Sequence, residues 1–472
     1  MSQKQKIIHK VEVLDTAAKG KSIAKAPDGK VVFITGAVPG DIVDIQLRKK
    51  RKSYYEGKVI KTISKSNFRI DPKCNHFQIC GGCSWQNMNY ESQIKYKQKE
   101  VENNLERIGG VKPITTKPIK KAKKEYFYRN KLEFSFSNSR WLTNDEIESS
   151  KTFSDKNALG FHVPGMWNKV IDIEKCWLQK NPSNRIRNFI KTNSKKIGLT
   201  YFDYKNNLGD LRSMMIRTST TGEIMVLIQF YKKTKLIKNL LDSLINEFPN
   251  ITSLLYVINK KANDTLYDQK IYCHYGNDHI FEQIDNFRFK IYAKSFYQTN
   301  SQQTKTLYNI VKKMADIKSH EIIYDLYSGI GTISIFLAEN AKQIIGVESV
   351  KDAVKAAKEN AKLNSINNVS FYTGEVRKVL NDDFLVNNGM PDTIIIDPPR
   401  SGMHKNVIDK LLKILPNKII YVSCNSATQA RDLNIMKAFY TISTSQSVDM
   451  FPQTYHVENV VLLEKNNKEC ID

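Results

Sequence analysis

Long apolar runs are missing from this chain of 472 residues, and no stretch approaches the length that a membrane-spanning helix needs. The amino-terminal stretch MSQKQKIIHKVEV is basic but has no apolar segment behind it, so we do not expect secretion. Cysteine is scarce, and the seven cysteines follow no disulfide framework, which predicts a reducing compartment. We therefore expect a cytoplasmic protein that does not enter the membrane and whose thiols are free for metal binding or catalysis.

Acidic residues are in deficit, with 48 Asp and Glu against 73 Lys and Arg, and the formal net charge is +25. The excess is uneven, because residues 1–65 hold fifteen basic and six acidic residues, including the run RKKRK at 48–52. A lysine-rich surface can serve solubility alone. Because the surplus is concentrated in one region, we favour a polyanionic partner.

The length and an apolar fraction of 41% predict several folded domains. Residues 7–65 alternate short β-rich runs with turn signals, such as Pro27-Asp28-Gly29, which predicts a small antiparallel barrel of the kind that binds nucleic acid. An amphipathic helix is expected over 91–108, with one apolar stripe formed by Ile94, Val101, Leu105 and Ile108.

The middle of the chain mixes strands such as KLEFSFS, GEIMVLIQF and ITSLLYVI with a helix at 235–247. Four basic side chains dot these strands, and each alone is more often a solvated charge than a phosphate ligand: Arg129, Lys131, Arg212 and Arg217. We therefore assign the segment only a general role in cradling RNA. From about residue 304 a regular alternation of strand and helix predicts a doubly wound parallel sheet. We divide the chain into a barrel at 1–68, a central α+β domain at 69–300 and a Rossmann-like α/β domain at 301–472.

Three cysteines in CNHFQICGGC, at positions 74, 80 and 83, have a spacing typical of a metal centre. Glycines between them let the backbone turn tightly and free its amides to donate to sulfur. Cys176 in IEKCWLQ is the candidate for a fourth ligand, ahead of two cysteines in a strand-like run and a polar tail, Cys273 and Cys470. Zinc and a radical-type cluster are alternatives, but the irregular spacing favours a closed iron-sulfur cluster.

A sixth thiol, Cys424, ends the apolar run IIYVSC, where the carboxyl edge of an α/β sheet binds ligands. From the strand alone, a buried structural cysteine is an equal alternative. The turn SGIGT lacks the third glycine of a dinucleotide fingerprint, and Glu348 at the end of the next strand suits a ribose diol. Together with the lip Asp397-Pro398-Pro399, these features favour S-adenosylmethionine over NAD as cofactor.

Seven motifs carry a resemblance that runs from Val31 to Leu463: CNHFQICGGCSWQ, YRNKLEFSF, SFYQTN, DLYSGIGT, IIIDPPRSG, YVSCN and DMFPQTYHVENV. In this order they resemble the RNA uracil-5-methyltransferase family. Within this family, the chain resembles the bacterial enzymes that act on 23S ribosomal RNA, the form that has an amino-terminal TRAM domain and an iron-sulfur cluster. The resemblance implies a class I methyltransferase domain, S-adenosylmethionine as cofactor and RNA as partner, and we expect a monomer.

The resemblance also implies roles for single residues. It implies that Cys424 is the nucleophile, that Glu458 is the base, and that four cysteines hold a 4Fe-4S cluster: Cys74, Cys80, Cys83 and Cys176. The implied contacts to S-adenosylmethionine are Gln298, Tyr327, Thr332, Glu348, Glu375 and Asp397. The sequence departs from the family at Tyr327-Ser328, where many members have Phe-Cys, and at Glu375, where Asp or Asn is commoner.

Alternatives remain for the base, the substrate and the class of protein. Glu458 alone would pass as a surface carboxylate, but its valine neighbours predict a partly buried base, with His456 giving a supporting hydrogen bond. A cytosine-5 DNA enzyme would carry its cysteine directly after Pro-Pro, where this chain has Arg400. Transfer RNA is the alternative substrate, and a non-catalytic RNA-binding factor that retains the fold is the alternative protein class.

Overall fold

The computed structural model of the protein describes residues 6–149 and 155–466, so Cys470 lies outside the described residues. Five strands near the amino terminus close into a barrel in the order β1-β2-β3-β5-β4. Their bounds are Ile7–Ala17 (β1), Lys21–Lys25 (β2), Val31–Thr35 (β3), Ile42–Lys50 (β4) and Tyr54–Ser64 (β5). Alternate side chains of β3 and β4 fill the barrel. The predicted barrel is confirmed, but it is not wholly antiparallel, because β3 and β5 pair in parallel. Its basic run 48–52 lies exposed at the end of β4 and in the turn that leads to β5.

The central part of the chain forms an eight-stranded sheet in the order β14-β13-β12-β11-β7-β9-β10-β8. Its strands are Lys131–Ser137 (β7), Arg140–Trp141 (β8), Ala158–His162 (β9), Val170–Asp172 (β10), Leu211–Thr218 (β11), Ile224–Phe230 (β12), Ser253–Ile258 (β13) and Ile271–Gly276 (β14). Three helices accompany it, Asn144–Glu148 (α2), Ser183–Ile197 (α3) and Leu236–Glu247 (α4), and α3 and α4 bury their apolar sides on one face. A hairpin follows, His279–Ile284 (β15) and Phe287–Tyr292 (β16).

The carboxyl-terminal part alternates strands and helices, as predicted. The strands are Ile322–Leu326 (β17), Gln343–Glu348 (β18), Val369–Thr373 (β19), Thr393–Ile396 (β20), Lys418–Ser423 (β21), Tyr440–Val448 (β22) and Glu458–Lys465 (β23). The helices are Ser301–Ala315 (α5), Thr332–Leu337 (α6), Lys351–Leu363 (α7), Val376–Val379 (α8), Asp382–Asn388 (α9), Lys405–Ile414 (α10) and Ser426–Met436 (α11). Buried apolar side chains cover both faces of this sheet.

This sheet is mixed, which corrects the expectation of an all-parallel one. Strands β17 to β21 run parallel, but β23 is antiparallel to β21, and β22 is antiparallel to β23. The full order is β19-β18-β17-β20-β21-β23-β22-β6, where β6 is Thr115–Lys120. Pro118 is tolerated in β6 because this strand lies at the edge of the sheet.

The expected amphipathic helix is present as α1, Tyr90–Arg107. It begins at Asn89, whose side chain accepts a hydrogen bond from the Ser92 amide at 2.9 Å. Two of the predicted core residues, Val101 and Leu105, pack with α11 and the carboxyl-terminal core, but Ile108 is 45% exposed, so its placement in the stripe was wrong. Although the sequence-based division put α1 and β6 in the central domain, both pack on the carboxyl-terminal sheet.

Across the two described ranges, no helix combines the length and the apolar character that crossing a membrane requires.

Candidate active site

A crevice forms where the carboxyl-terminal sheet reverses its strand order. From β17 the chain moves outward to β18 and β19, and it then returns to place β20 on the other side of β17. Ligands of open α/β sheets bind at such a switch point, beyond the carboxyl ends of the strands. Tyr327 follows β17 and Glu348 ends β18. Asp397 follows β20, and Cys424 follows the neighbouring strand β21. The topology thus brings four of the predicted site residues to one edge of the sheet.

The turn after β17 is built on left-handed backbone. Tyr327 has a φ of 69°, which is unusual for a non-glycine residue, and Gly331 has a φ of 79°. A Cβ at Gly331 would lie 2.6 Å from the ring of Phe371, so a side chain has no room there. The Gly329 amide donates to the Glu348 carboxylate at 3.1 Å. This bond fixes the acid beside the turn, where the predicted ribose contact requires it.

Two further predicted cofactor residues, Thr332 and Gln298, are buried, and a third, Glu375, is partly exposed. Thr332 shares a hydrogen bond of 2.7 Å with the hydroxyl of Tyr308, and the Gln298 carbonyl accepts from the Asn130 amide group at 2.9 Å. Glu375 instead lies near the surface, where its carboxylate pairs with two cations, Arg377 and Lys378. Since Glu375 follows β19 next to Glu348, it lies at the same sheet edge, but its carboxylate already has partners.

Carboxylates without cationic partners line the floor of the crevice. Burial raises the pKa of Asp397 to about 7, and the charge of Asp325 adds to this shift. Burial likewise raises the pKa of Asp325 to about 7, and Glu348 adds a smaller contribution. The Oδ1 atom of Asp325 is buried and has no hydrogen-bond partner among the described residues. Negative potential and an unpaired acceptor suit a cationic ligand, and the sulfonium and ammonium groups of S-adenosylmethionine fit this floor.

The thiol and carboxyl predicted to react lie at neighbouring strand ends. Cys424 directly follows β21, Glu458 begins β23, and the two strands pair with Ser423 opposite Asn459. Glu458 is only 4% exposed, and burial raises the pKa of its carboxyl well above the ordinary value, with Asp397 adding to the shift. A carboxyl in this setting can take up and hold a proton near neutral pH.

Arg400 supplies a positive charge beside the Cys424 thiol. Burial raises the pKa of the Cys424 thiol to about 11, the charges of Glu458 and Asp397 add to this, and the Arg400 guanidinium contacts the thiol and opposes the shift. The same guanidinium lies 3.1 Å from Nδ1 of His456. Burial lowers the pKa of His456 to about 4, and Arg400 lowers it further, so the ring is neutral and accepts from the guanidinium. His456 thus forms a supporting hydrogen bond, and its partner is Arg400.

The four cysteines of the predicted cluster lie near one another and are free thiols. Burial raises the pKa of Cys83 to about 12, and the charges of the other three, Cys74, Cys80 and Cys176, add to the shift. Gly81 has a left-handed φ of 71°, and the Gly82 amide donates to Sγ of Cys80 at 3.5 Å. The predicted tight turn with an amide directed at sulfur is therefore present. Within residues 6–149 and 155–466, no group of three or more His, Cys, Asp or Glu side chains is arranged around a single metal ion.

The tRNA (uracil-5-)-methyltransferase family matches residues 218–466 of the chain, and the TRAM domain matches residues 8–60. An uncharacterized RNA methyltransferase of Bacteroides thetaiotaomicron is 48% identical over 95% of this chain and 99% of its own length. The chain belongs to the tRNA (uracil-5-)-methyltransferase family. A further relative, an uncharacterized RNA methyltransferase of Chlorobaculum tepidum, is 36% identical over 97% of this chain and 96% of its own. The tRNA (uracil-54, C5)-methyltransferase of Pyrococcus abyssi, solved with S-adenosyl-L-homocysteine, superimposes with a TM-score of 0.73 at 25% identity, covering 96% of this chain and all of that one.

Membership in this family of RNA methyltransferases confirms the methyltransferase fold, the TRAM barrel and RNA as the class of substrate. Two of the four basic residues in the central segment, Arg212 and Arg217, do not lie on the surface. Arg212 and Arg217 are 0% and 3% exposed, and their guanidinium groups donate to the carbonyls of Asn259 and Ser295, each at 3.0 Å. They are structural, and neither is available to a phosphate.

Sequence reasoning passed over two residues of this methyltransferase site. In the sequence, Arg400 stands where a cytosine-5 DNA enzyme has its cysteine, and its position directly after Pro-Pro at the carboxyl end of a strand was a usable signal. Tyr308 lies in α5, far from any motif, and only the fold shows that its hydroxyl meets Thr332. Arg400 contacts the Cys424 thiol, and Tyr308 shares a hydrogen bond with Thr332, directly after the turn that follows β17.

Proposed function

We propose that this methyltransferase transfers a methyl group to carbon 5 of a uridine in RNA, by way of a covalent bond between Cys424 and carbon 6 of the base. The observation that carries the proposal is the pairing of a thiol with a buried carboxyl, Glu458, beside a crevice with a negative floor. Carbon 5 of uracil is a weak nucleophile, so a methyl transfer needs electron density to be supplied there first. Methylation of an exocyclic amino group would need neither residue.

The reaction begins at the thiol. Cys424 releases its proton to solvent water, with the Arg400 guanidinium stabilising the thiolate, and the sulfur adds to carbon 6. The electrons of the C5–C6 double bond move toward carbon 5 and the O4 oxygen as an enolate. S-adenosylmethionine, held by the proposed contacts at the crevice, supplies the methyl group to carbon 5. Glu458 then removes the proton from carbon 5, the double bond re-forms, and the carbon-sulfur bond breaks to return the thiolate.

The geometry explains why the nucleophile stands at a strand edge. A base inside a duplex or a folded stem cannot reach this position, so the target uridine must be unstacked and turned into the crevice. The exposed basic run at 48–52 of the barrel supplies positive potential for the RNA backbone. The barrel thus binds the polyanion, and the sheet edge performs the chemistry.

We infer that the substrate is 23S ribosomal RNA, because the barrel and the four-cysteine segment occur together here, as in the family form that acts on ribosomal RNA. Transfer RNA is the second candidate, since the Pyrococcus abyssi neighbour is named for position 54 of transfer RNA. Purified protein with isotopically labelled S-adenosylmethionine should place label in 5-methyluridine of transcribed 23S RNA. Label in transfer RNA alone would contradict the assignment of 23S RNA as substrate. The absence of label in 5-methyluridine of either RNA would contradict the proposed activity.

We further propose that Cys74, Cys80, Cys83 and Cys176 hold a 4Fe-4S cluster with a structural role. The four thiols lie close enough together for the charges of three of them to raise the pKa of the fourth. Their irregular spacing in the sequence favours a cluster over zinc, whose cysteine ligands usually come in two closely spaced pairs. Four protein ligands leave no open iron for chemistry. The segment after Cys83 also contacts the loop before the base, where the Ser84 amide donates to the Gln453 carbonyl at 3.0 Å.

Protein purified without oxygen from iron-replete cells is expected to be brown and to contain iron and acid-labile sulfide in equal amounts. Cys83→Ser should remove most of both, because one of four ligands is lost. Cys273→Ser is the matched control, since this exposed thiol of β14 lies outside the group and its variant should keep the absorbance. A colourless protein that contains zinc would contradict the assignment.

A further inference from the structure

The base is positioned by the loop that precedes it. Residues 449–457 join β22 to β23, and Val448 and Glu458 face each other where the loop begins and ends. The loop is not a surface connection, because Asp449, Met450 and Gln453 are each fully buried. A buried loop must find partners for its own polar backbone, so its conformation depends on the groups that supply them.

Four consecutive carbonyl oxygens of this loop accept hydrogen bonds from four distant parts of the chain. They belong to residues 450–453, and each bond is 3.0 Å long. The donors are Asn300 before α5, Lys97 of α1, Tyr128 before β7 and the Ser84 amide of the cysteine segment. Among these donors, Lys97 is the one that carries a charge.

Lys97 joins the loop to α1 through two contacts. Its Nζ atom lies 2.6 Å from Oδ1 of Asp449 and 3.0 Å from the carbonyl oxygen of Phe451. Both charged side chains of the pair are 0% exposed. The second carboxylate oxygen of Asp449 accepts from the Tyr90 hydroxyl at 2.9 Å, so α1 contributes two donors to one acid. A buried ion pair is seldom the most stabilising way to fill a core, but it does enforce a single geometry.

We propose that Lys97 is a positioning residue for the base, which holds the loop 449–457 so that the Glu458 carboxylate meets the proton on carbon 5 of the RNA adduct. The inference rests on the proposed function, since it assigns a role in the second half of that reaction. Lys97 touches neither the thiol nor Glu458. It acts through Asp449 and Phe451, on the backbone that leads into β23.

Cys424 itself lies outside this loop, which leads directly into Glu458 but reaches the thiol indirectly, through the contact of His456 with Arg400. Cys424 follows β21, and the side chain of the next residue, Asn425, donates to the Arg400 carbonyl at 2.9 Å. No contact of Lys97 reaches this turn within the described residues. Loss of Lys97 should therefore slow breakdown of the Cys424–RNA adduct more than its formation, because misplacing a catalytic group is costly.

Lys97→Met removes the ammonium group and keeps a long apolar chain. We expect kcat to fall by about 10-fold to 100-fold with KM for RNA unchanged. In a single turnover, a covalent protein–RNA species that carries the methyl group should accumulate on a denaturing gel. Lys99→Met is the matched control: it lies two residues away on α1, pairs with Asp15 of the barrel at 2.5 Å, and should leave kcat and the gel unchanged.

Lys97→Met leaves the buried Asp449 carboxylate without its cation, which is expected to destabilise the fold. The double variant Lys97→Met/Asp449→Asn is therefore measured as well. It removes both charges but does not restore the donor to the Phe451 carbonyl, so it should unfold cooperatively like the wild type and still accumulate the adduct. Wild-type turnover in either folded variant, or an equal slowing of adduct formation and breakdown, would overturn the inference. A wild-type enzyme that never forms 5-methyluridine would instead overturn the proposed function.

Discussion

Replacing Cys424 with alanine is expected to abolish methyl transfer, with a loss of about 10⁴-fold or more, because it removes the thiolate that adds to carbon 6 in our proposal. RNA binding should persist, since the barrel that carries the exposed basic run is unchanged. RNA that contains 5-fluorouridine gives the decisive measurement. Fluorine replaces the proton that the base must remove, so the wild type should form a permanent crosslink after methyl transfer. Cys424→Ala should form none.

The thiol also predicts a pH dependence. Burial and the negative charges of Glu458 and Asp397 raise the pKa of Cys424 to about 11, so the free enzyme holds mostly protonated thiol at pH 7. The thiolate fraction, and with it the rate of crosslinking, should rise roughly tenfold per pH unit between pH 7 and pH 9. Cys273→Ala, which changes an exposed thiol, should crosslink like the wild type. Crosslinking by Cys424→Ala would show that another nucleophile acts.

The local features of the fold could be predicted because their signals are local. The barrel follows from closely spaced turn residues, and the cofactor turn follows from an apolar run that ends in glycines. Strand β22 gave no such signal, because its sequence YTISTSQSV is rich in Ser and Thr, although most of the strand is buried. The edge strand β6 contains a proline, which argues against a strand unless its neighbours are known.

The distant contacts of the site could not be predicted from spacing. Lys97 and Asp449 are 352 positions apart, and nothing in either segment indicates that they meet. Buried arginines were misjudged for a related reason: a charged side chain on a strand is usually solvated, but Arg212 finds backbone carbonyls inside the central domain. Motifs therefore supplied the groups that react in our proposal, whereas the fold was needed to show which groups hold them.

Replacing Glu458 with glutamine is expected to separate the two halves of the reaction. Glutamine has nearly the same shape but cannot accept the proton from carbon 5, so turnover should fall by about 10²-fold to 10⁴-fold. Methyl transfer itself should survive, and the methylated RNA should remain bound to Cys424. We expect a protein–RNA band that carries the labelled methyl group, formed from ordinary uridine without any fluorinated analogue.

The first step should be no slower in Glu458→Gln than in the wild type, and this distinguishes a lost base from a damaged site. An ionised Glu458 raises the pKa of the thiol, so its removal favours the thiolate. His456→Asn is the informative comparison. Burial and Arg400 keep the imidazole neutral, with a pKa of about 4, and His456 contacts Arg400 rather than the reacting carbon in our proposal. If the methylated adduct accumulated in His456→Asn and not in Glu458→Gln, the base would be the histidine, and the buried carboxyl would serve only to set the charge around the thiol.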